Sequence, residues 1–305
     1  MHRAKNLHPL LLLGECLGVI ELDSLTKYYG DIRGIEDLSF EVEKGEIFGY
    51  LGPNGAGKTT TIRTLLGFLK PTGGKARVLG KDIKKDIVEI KQDVGYIPGD
   101  LSLYGNLTGD EFLNYFASLR PSDSSLREDL LETFEVPLDR KIEGFSRGMR
   151  QKLAIVQAFM HDPELVIMDE PTAGLDPLMQ QKLYEFLREE KQKGRTLFFS
   201  SHILSEVDKI CDRVGIIREG RLVALEGIES LKNKRGKIVR VKIEGDPEDF
   251  DGPKDMRIED GGWIRFVVRK DINYWIEKLS KFNVLDLEVN NFSLEDIFMH
   301  YYEGD

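Results

Sequence analysis

The feature that most constrains the fold is a glycine-rich segment between two elements of regular structure. It runs Gly52-Pro-Asn-Gly-Ala-Gly57-Lys58-Thr59. The apolar residues at 46–51 predict a buried strand before it, and residues 59–69 predict a helix after it. In such a loop, backbone N–H groups can surround phosphate oxygens while the helix N-terminus adds positive potential. The segment therefore predicts a nucleotide-phosphate site on an α/β sheet.

The residue types of the loop suggest what each could do. We expect Lys58 to reach the β- and γ-phosphates of ATP and Thr59 to offer its hydroxyl to Mg²⁺, so ATP and Mg²⁺ are the expected ligands. A chance lysine in a glycine turn is the alternative, and the strand-loop-helix order argues against it. The expected nucleotide contacts are Gly52, Pro53, Asn54, Gly55, Ala56, Gly57, Lys58, Thr59 and Thr60.

A second apolar segment ends in two carboxylates. Residues 165–168 predict a buried strand, and Asp169 and Glu170 follow it directly. We expect Asp169 to join Thr59 as a ligand of Mg²⁺ and Glu170 to act as general base toward the attacking water. Taken alone, an acidic pair at a strand end is equally often solvated, so this prediction depends on the glycine loop.

Composition and charge narrow the class of protein. The 305 residues carry a formal net charge of −10, which argues against a general nucleic-acid binder because such proteins need positive surface. Two cysteines cannot form a disulfide framework and suit a reducing compartment. No apolar run approaches the roughly 20 residues needed to cross a bilayer. We therefore expect any membrane role to come through a partner.

The order of elements predicts an α/β core with additions. Alternating apolar residues at 19–44 predict antiparallel strands, and later strands alternate with helices, which predicts a mostly parallel sheet. The capping box Thr108-Gly-Asp-Glu111 opens a helical insertion over about residues 103–160. After the charged linker at 232–236, short strands, an amphipathic helix and a second helix at 294–302 predict a small α+β domain.

These patterns divide the chain into three parts. Residues 1–18 are interpreted as a disordered leader, with Val19 as an alternative start of the native protein. Residues 19–231 are predicted to form the nucleotide-binding domain and residues 232–305 the accessory domain.

Three further segments carry a family resemblance. They are residues 145–153, 171–176 and 200–202, which read FSRGMRQKL, PTAGLD and SSH. Together with the glycine loop and the strand ending at Asp169, their order and spacing over residues 20–231 resemble the ATP-binding cassette (ABC) family. The resemblance implies a P-loop NTPase cassette in which two chains bind ATP between them.

The resemblance also implies roles for individual residues. The signature segment, at the start of a helix, would meet the γ-phosphate bound by the opposite subunit. Asp176 matches the carboxylate that crosses the dimer interface, and His202 matches the histidine that senses the γ-phosphate and orients water. We accordingly expect Glu170 and His202 to be catalytic. The signature positions are Ser146, Arg147, Gly148 and Met149.

The adenine-stacking position and the segment after Pro98 each leave two alternatives open. Tyr29 stands where the family has an aromatic residue that stacks on adenine, with Tyr28 as the competing candidate. The family usually has glutamine after Pro98, whereas this chain has Gly99 and Asp100. Either Asp100 replaces that glutamine or water does. Arg147 and Met149 depart from the common signature in the manner of exporter-type cassettes.

The resemblance implies the ATP-hydrolysing subunit of a transporter. Its expected partners are a second cassette, identical or not, and a separate integral membrane permease that contacts a groove beside residues 98–104. Residues 293–298 resemble the end of cassettes serving ABC-2 type export permeases, which favours export and a position on the cytoplasmic face of the membrane. The alternatives are a soluble ABC ATPase of translation or DNA repair, and a nucleotide-binding regulator without turnover. No nucleic-acid partner is expected.

Overall fold

The part of the chain that the structure describes contains three β-sheets. The computed structural model describes residues 18–120, 126–234, 236–253, 255–268 and 271–291. Its strands are β1 (Ile20–Tyr29), β2 (Ile32–Val42), β3 (Ile47–Leu51), β4 (Gly73–Val78), β5 (Lys81–Asp82), β6 (Val94–Ile97), β7 (Leu165–Asp169), β8 (Thr196–Ser201), β9 (Arg213–Arg218), β10 (Arg221–Gly227), β11 (Lys237–Ile243), β12 (Arg257–Glu259), β13 (Trp263–Val268) and β14 (Val284–Asn291). Its α-helices are α1 (Lys58–Leu65), α2 (Ile87–Asp93), α3 (Gly109–Leu119), α4 (Leu126–Phe134), α5 (Arg147–Phe159), α6 (Pro177–Gln192), α7 (Leu204–Ile210), α8 (Ile228–Lys234) and α9 (Ile272–Leu279).

The central sheet has the strand order β10-β9-β3-β8-β7-β6. The five strands from β9 to β6 pair in parallel, and β10 pairs antiparallel with β9. Every residue of β3, β7 and β8 is buried. Both faces of these strands are covered, which explains their continuous apolar sequences. The prediction of a mixed, mostly parallel sheet is confirmed.

The N-terminal strands form an antiparallel sheet that packs against the central one. Its order is β2-β1-β4-β5. Phe40 of β2 stacks on Phe48 of β3, with the ring centroids 5.4 Å apart, and Phe48 in turn stacks on Phe198 of β8 at 5.6 Å. These buried rings join the two sheets into one hydrophobic core. The predicted antiparallel β subdomain is therefore present.

Helices α3, α4 and α5 lie between β6 and β7, as predicted for the helical insertion. The capping box at its start is formed: the N–H of Glu111 donates to Thr108 Oγ1 at 3.2 Å, and the N–H of Thr108 donates to Glu111 Oε2 at 2.8 Å. Helix α5 begins after Ser146, whose hydroxyl accepts the N–H of Met149 at 3.2 Å. The signature segment thus lies at a capped helix N-terminus.

Two predicted boundaries were wrong. Helix α1 ends at Leu65 rather than Leu69, because Gly67 adopts a left-handed φ of 66° and the N–H of Phe68 returns to the carbonyl of Arg63. The predicted linker at 232–236 is helical in its first part, since α8 extends to Lys234. Strands β5, β10 and β12 and helices α2 and α7 were not predicted.

The third sheet has the order β12-β13-β11-β14 and its own hydrophobic cluster. Helix α9 packs on one face through Leu279 and Trp275, which contact a core containing Phe250 and Phe266. The predicted leader residues 1–17 and the predicted helix at 294–302 lie outside the described residues. In the described part of the chain, no helix has the length and apolarity needed to span a membrane.

Candidate nucleotide site

The carboxyl ends of three neighbouring parallel strands bring the predicted site residues together. The glycine loop follows β3, His202 follows β8, and Glu170 follows β7. The N–H of Gly52 donates to the carbonyl of Ser201 at 3.2 Å, which fixes the start of the loop against the end of β8. Ligands of open α/β sheets bind at this edge. Segments more than 100 residues apart in sequence therefore share one site.

Two glycines of the loop are required by close contacts. A Cβ atom at Gly52 would lie 2.5 Å from the carbonyl oxygen of Ile217. Gly57, at the start of α1, has a φ of 110°, and a Cβ atom there would lie 2.8 Å from the carbonyl oxygen of Gly34. A side chain at either position would displace the loop from the strands behind it.

The side chain of Lys58 is buried inside the loop. Its ammonium donates to the carbonyls of Gly52 at 2.7 Å and Pro53 at 3.2 Å, and lies 3.5 Å from Glu170 Oε1. Burial lowers the pKa of Lys58, and the nearby carboxylate of Glu170 opposes this shift. A polyanion in front of the loop would stabilise this cation in the same way.

Thr59 and Asp169 converge as predicted for an Mg²⁺ site. The Thr59 hydroxyl donates to Asp169 Oδ2 at 2.7 Å, and the Ser200 hydroxyl donates to Asp169 Oδ1 at 2.5 Å. Among the described residues, no group of three or more His, Cys, Asp or Glu side chains could hold a metal ion. One hydroxyl and one carboxylate suit Mg²⁺, which takes its remaining ligands from phosphates and water. The donor set fits the ion.

Glu170 and His202 form a pair beside Lys58. The Nδ1 atom of His202 lies 3.1 Å from Glu170 Oε1. The backbone of Glu170 adopts a left-handed φ of 50°, and its N–H donates to both the carbonyl and the hydroxyl of Ser200 at 3.2 Å. Such strain in a non-glycine residue is typical of functional sites. The carboxylate is thus oriented between a lysine and a histidine, where it can accept a proton from water.

Of the two tyrosines considered for adenine, only Tyr29 faces the loop. Its hydroxyl lies 3.4 Å from Thr60 Oγ1, and 45% of the residue is exposed. The hydroxyl of Tyr28 instead donates to Glu36 at 2.9 Å, and this hydrogen bond raises the pKa of Tyr28. A cavity of about 280 Å³ has the following lining residues: Tyr29, Ile32, Arg33, Gly34, Asn54, Gly55, Gly57, Lys58, Thr59, Thr60 and Glu170.

The signature residues lie apart from that cavity. None of residues 146–149 is among its lining residues. The amide of Gln151 in the signature helix donates to the carbonyl of Pro171 at 2.8 Å, which ties α5 to the loop after Glu170. The carboxylate of Asp176 is exposed and caps α6 by accepting the N–H of Met179 at 3.0 Å. Within one chain, these residues do not complete the nucleotide cavity.

At the position where the family usually has glutamine, this chain has Gly99, which has no side chain. A Cβ atom at Gly99 would lie 3.3 Å from Asp169 Oδ2, so Gly99 is the residue that adjoins the predicted metal ligand. Asp100 lines a different cavity, together with Arg147 and Arg150. That cavity is separate from the one lined by Lys58, Thr59 and Glu170.

Sequence reasoning missed three residues that support the site. Ser200 orients both Asp169 and Glu170, Gln151 ties the signature helix to Pro171, and Gly34 lies against Gly57. Ser200 and Gln151 lie inside recognised motifs, so their polar side chains could have been identified from the sequence as site residues. Gly34 had none, because its role depends on a contact with a distant segment.

The chain is similar in sequence to known transport proteins. The family model described as ABC transporter matches residues 35–173. The bacitracin transport ATP-binding protein BcrA of Bacillus licheniformis is 35% identical over 300 residues, which cover 94% of this chain and 98% of BcrA. The chain belongs to the ABC transporter family. It is an ATP-binding subunit, an ATPase whose hydrolysis of ATP powers a membrane permease.

Solved structures of ABC cassettes share its fold. The ATP binding subunit of an ABC transporter is 34% identical with a TM-score of 0.64, covering 70% of this chain and 92% of the other. The cassette MJ0796, solved as a dimer bound to ADP and Pi, is 21% identical with a TM-score of 0.63, covering 68% of this chain and 98% of its own. The similarity to MJ0796 shows the fold alone.

Because the chain belongs to the ABC transporter family, the alternative of a translation or repair ATPase is set aside.

We predict that Tyr29→Ala weakens ATP binding by this ABC subunit roughly tenfold, since stacking on a base contributes about 1–3 kcal/mol. Tyr28→Ala is the matched control and should leave the Kd within about twofold, because Tyr28 contacts Glu36. Isothermal titration with ATP on the full chain measures both. Equal losses for the two variants, or no loss for Tyr29→Ala, would contradict this placement.

Proposed function

We propose that this ABC subunit hydrolyses Mg·ATP at sites shared between two cassettes and powers a separate export permease of the ABC-2 type. One observation carries the shared site: the signature residues lie outside the cavity formed by the glycine loop of the same chain. A second chain, the same or a related cassette, is then the source of the residues that close the site.

Within one chain, the residues around the glycine loop bind ATP and activate the attacking water. Tyr29 stacks on the adenine, Lys58 and the loop N–H groups bind the phosphates, and Thr59 with Asp169 would hold Mg²⁺. That ion would neutralise the charge of the phosphates. Glu170 accepts a proton from the attacking water, and His202, at 3.1 Å from its carboxylate, orients that water toward the γ-phosphate.

The second chain contributes the signature. Because the Ser146 hydroxyl already accepts the N–H of Met149, its own proton is free to donate to a phosphate oxygen. Gly148 adds a backbone N–H in the first turn of α5, where the helix dipole favours an anion. Asp176 is exposed at the start of α6 and is available to cross the interface. ATP would therefore join the two cassettes as well as drive them.

An apolar groove beside residues 98–104 suits the permease. It has a volume of about 340 Å³ and lies between the central sheet and the helical segment. Among its lining residues are Leu103, Tyr104 and Phe116, with Tyr104 53% exposed. An exposed aromatic in a concave apolar surface favours a partner helix.

Charge in the groove further defines that partner. Lys91 and Arg120 line it, and among the residues that the structure describes no carboxylate does. The Nη1 atom of Arg120 lies 2.7 Å from Nε2 of His161, whose pKa burial lowers to about 4, so this histidine is neutral and does not balance the charge of Arg120. Asp93, which attracts Arg120, is already paired with Lys81 at 2.5 Å. We therefore infer a permease helix that carries a carboxylate among apolar residues.

Two broader features of the proposal follow from the comparisons and the fold. Similarity to BcrA supports transport of a drug-like cargo, and the signature variant supports export, with the subunit on the cytoplasmic face of the membrane through its permease. The separate hydrophobic cluster of the third sheet supports a division into domains at residues 19–231 and 232–305.

The catalytic assignment predicts that Glu170→Gln lowers the rate of ATP hydrolysis by about 10²- to 10⁴-fold, because the general base is removed while the shape is kept. Glu132→Gln, an exposed glutamate of α4, is the control and should hydrolyse ATP at the wild-type rate. Phosphate release by the full-length chain measures this. Hydrolysis by Glu170→Gln at more than one tenth of the wild-type rate would contradict the assignment.

The groove predicts that Lys91→Glu reduces recovery of the co-expressed permease at least fivefold, because it places like charges against the inferred carboxylate. The permease to use is the integral membrane protein that co-purifies with the wild-type chain. Lys85→Glu, exposed and not among the groove residues, is the matched control. Thermal unfolding of each variant checks the fold, and equal recovery of the permease with both variants would argue against the groove.

A further inference from the structure

A second, charged cavity adjoins the signature. It has a volume of about 370 Å³ and has two walls. Gly99, Asp100 and Leu101 form one wall, which follows β6. The other wall comes from the start of the signature helix and the residue before its cap, and consists of Phe145, Arg147, Arg150 and Gln151.

The two walls carry opposite charges that are not paired. Among the described residues, the Asp100 carboxylate and the Arg147 guanidinium have no hydrogen-bond or ion-pair partner. The Nε atom of Arg150 is buried without a partner, while its Nη2 donates to the carbonyl of Glu143 at 3.3 Å. A buried donor without a partner is costly, so the cavity favours an arrangement that supplies an acceptor.

The stem of Arg147 is fixed against the loop that leads to Asp176. A Cβ atom at Gly174 would lie 2.6 Å from Cγ and 2.8 Å from Cδ of Arg147. Gly174 also has a left-handed φ of 83°. The arginine therefore lies across a residue that must lack a side chain, which limits where its guanidinium can go.

The segment at residues 98–104 lines both this cavity and the permease groove. Pro98, Ser102, Leu103 and Tyr104 line the groove, whereas Gly99, Asp100 and Leu101 line the charged cavity. A helix that fills the groove must contact this segment. Any displacement of the segment changes the distance between Asp100 and the two arginines.

We propose that Asp100 is a positioning residue that pairs with Arg147, and through the same cavity with Arg150, when the segment at 98–104 moves toward the signature helix. The pair aligns the signature with the ATP of the opposite cassette. Asp100 thereby couples ATP hydrolysis to the permease through the signature, which Gly99, having no side chain, cannot do beside Asp169. This inference rests on the proposed shared site and assigns a function to two departures from the family sequence, at positions 100 and 147.

The ATPase activity of the full-length chain tests this pairing through a double-mutant cycle. Asp100→Asn and Arg147→Gln should each lower kcat roughly two- to fivefold, the range expected for a partly exposed ion pair. The double variant should lose no more than either single variant. The KM for ATP of Asp100→Asn should stay unchanged, because Asp100 does not line the ATP cavity. Asp260→Asn, at an exposed residue distant in sequence, should match the wild type.

Rescue separates pairing from a structural role. Asp100→Glu should retain most of the wild-type kcat, and Asp100→Lys combined with Arg147→Glu should recover activity that each reversal alone loses. Losses that multiply in the double variant, or a wild-type kcat for Asp100→Asn, would overturn the pairing alone. If the wild-type chain shows no ATP hydrolysis that is lost in Glu170→Gln, the proposed function and this inference are both overturned.

Discussion

Parallel pairing of β8 with β3 on one side and β7 on the other holds the whole nucleotide site together. The register aligns Leu51 with Ser201, and Asp169 with Ser200. Since parallel strands end at one edge, the loop, the carboxylates and His202 meet there without any direct contact being needed to assemble them. Burial of the three strands on both faces makes this register costly to change.

Ser200 links the pairing to the chemistry. Its hydroxyl donates to Asp169, and its carbonyl and hydroxyl both accept from the N–H of Glu170. One side chain therefore orients both carboxylates and helps to hold Glu170 in its left-handed conformation. The polar network lies on a rigid strand, which is what a catalytic carboxylate needs to keep a constant position.

Much of this arrangement could be predicted from the sequence, because the main signals are local. The glycine loop, the capping box at Thr108 and the buried strand before Asp169 each follow from neighbouring residues. The helix boundary at Leu65 was missed because the turn at Gly67 depends on a single residue within an otherwise helical pattern. Strand β10 was missed because half-buried residues at the edge of a sheet give a weak alternation.

Contacts between segments that are distant along the chain could not be predicted from the sequence. Nothing near Asp100 indicated that it would line a cavity together with Arg147, and the choice between Tyr28 and Tyr29 required the position of Glu36. The two cavities that share residues 98–104 likewise exist only once α3 and α5 have packed beside β6. Local pattern identified the chemistry, and tertiary packing decided which residue performs it.

One chain is proposed to hold only half of each ATP site, and light scattering of the Glu170→Gln chain in saturating Mg·ATP tests this. A shared site predicts a mass of twice 34.8 kDa with ATP, a monomer without it, and a monomer in ATP when Ser146→Arg is added. A Glu170→Gln chain that binds ATP and remains a monomer would contradict it.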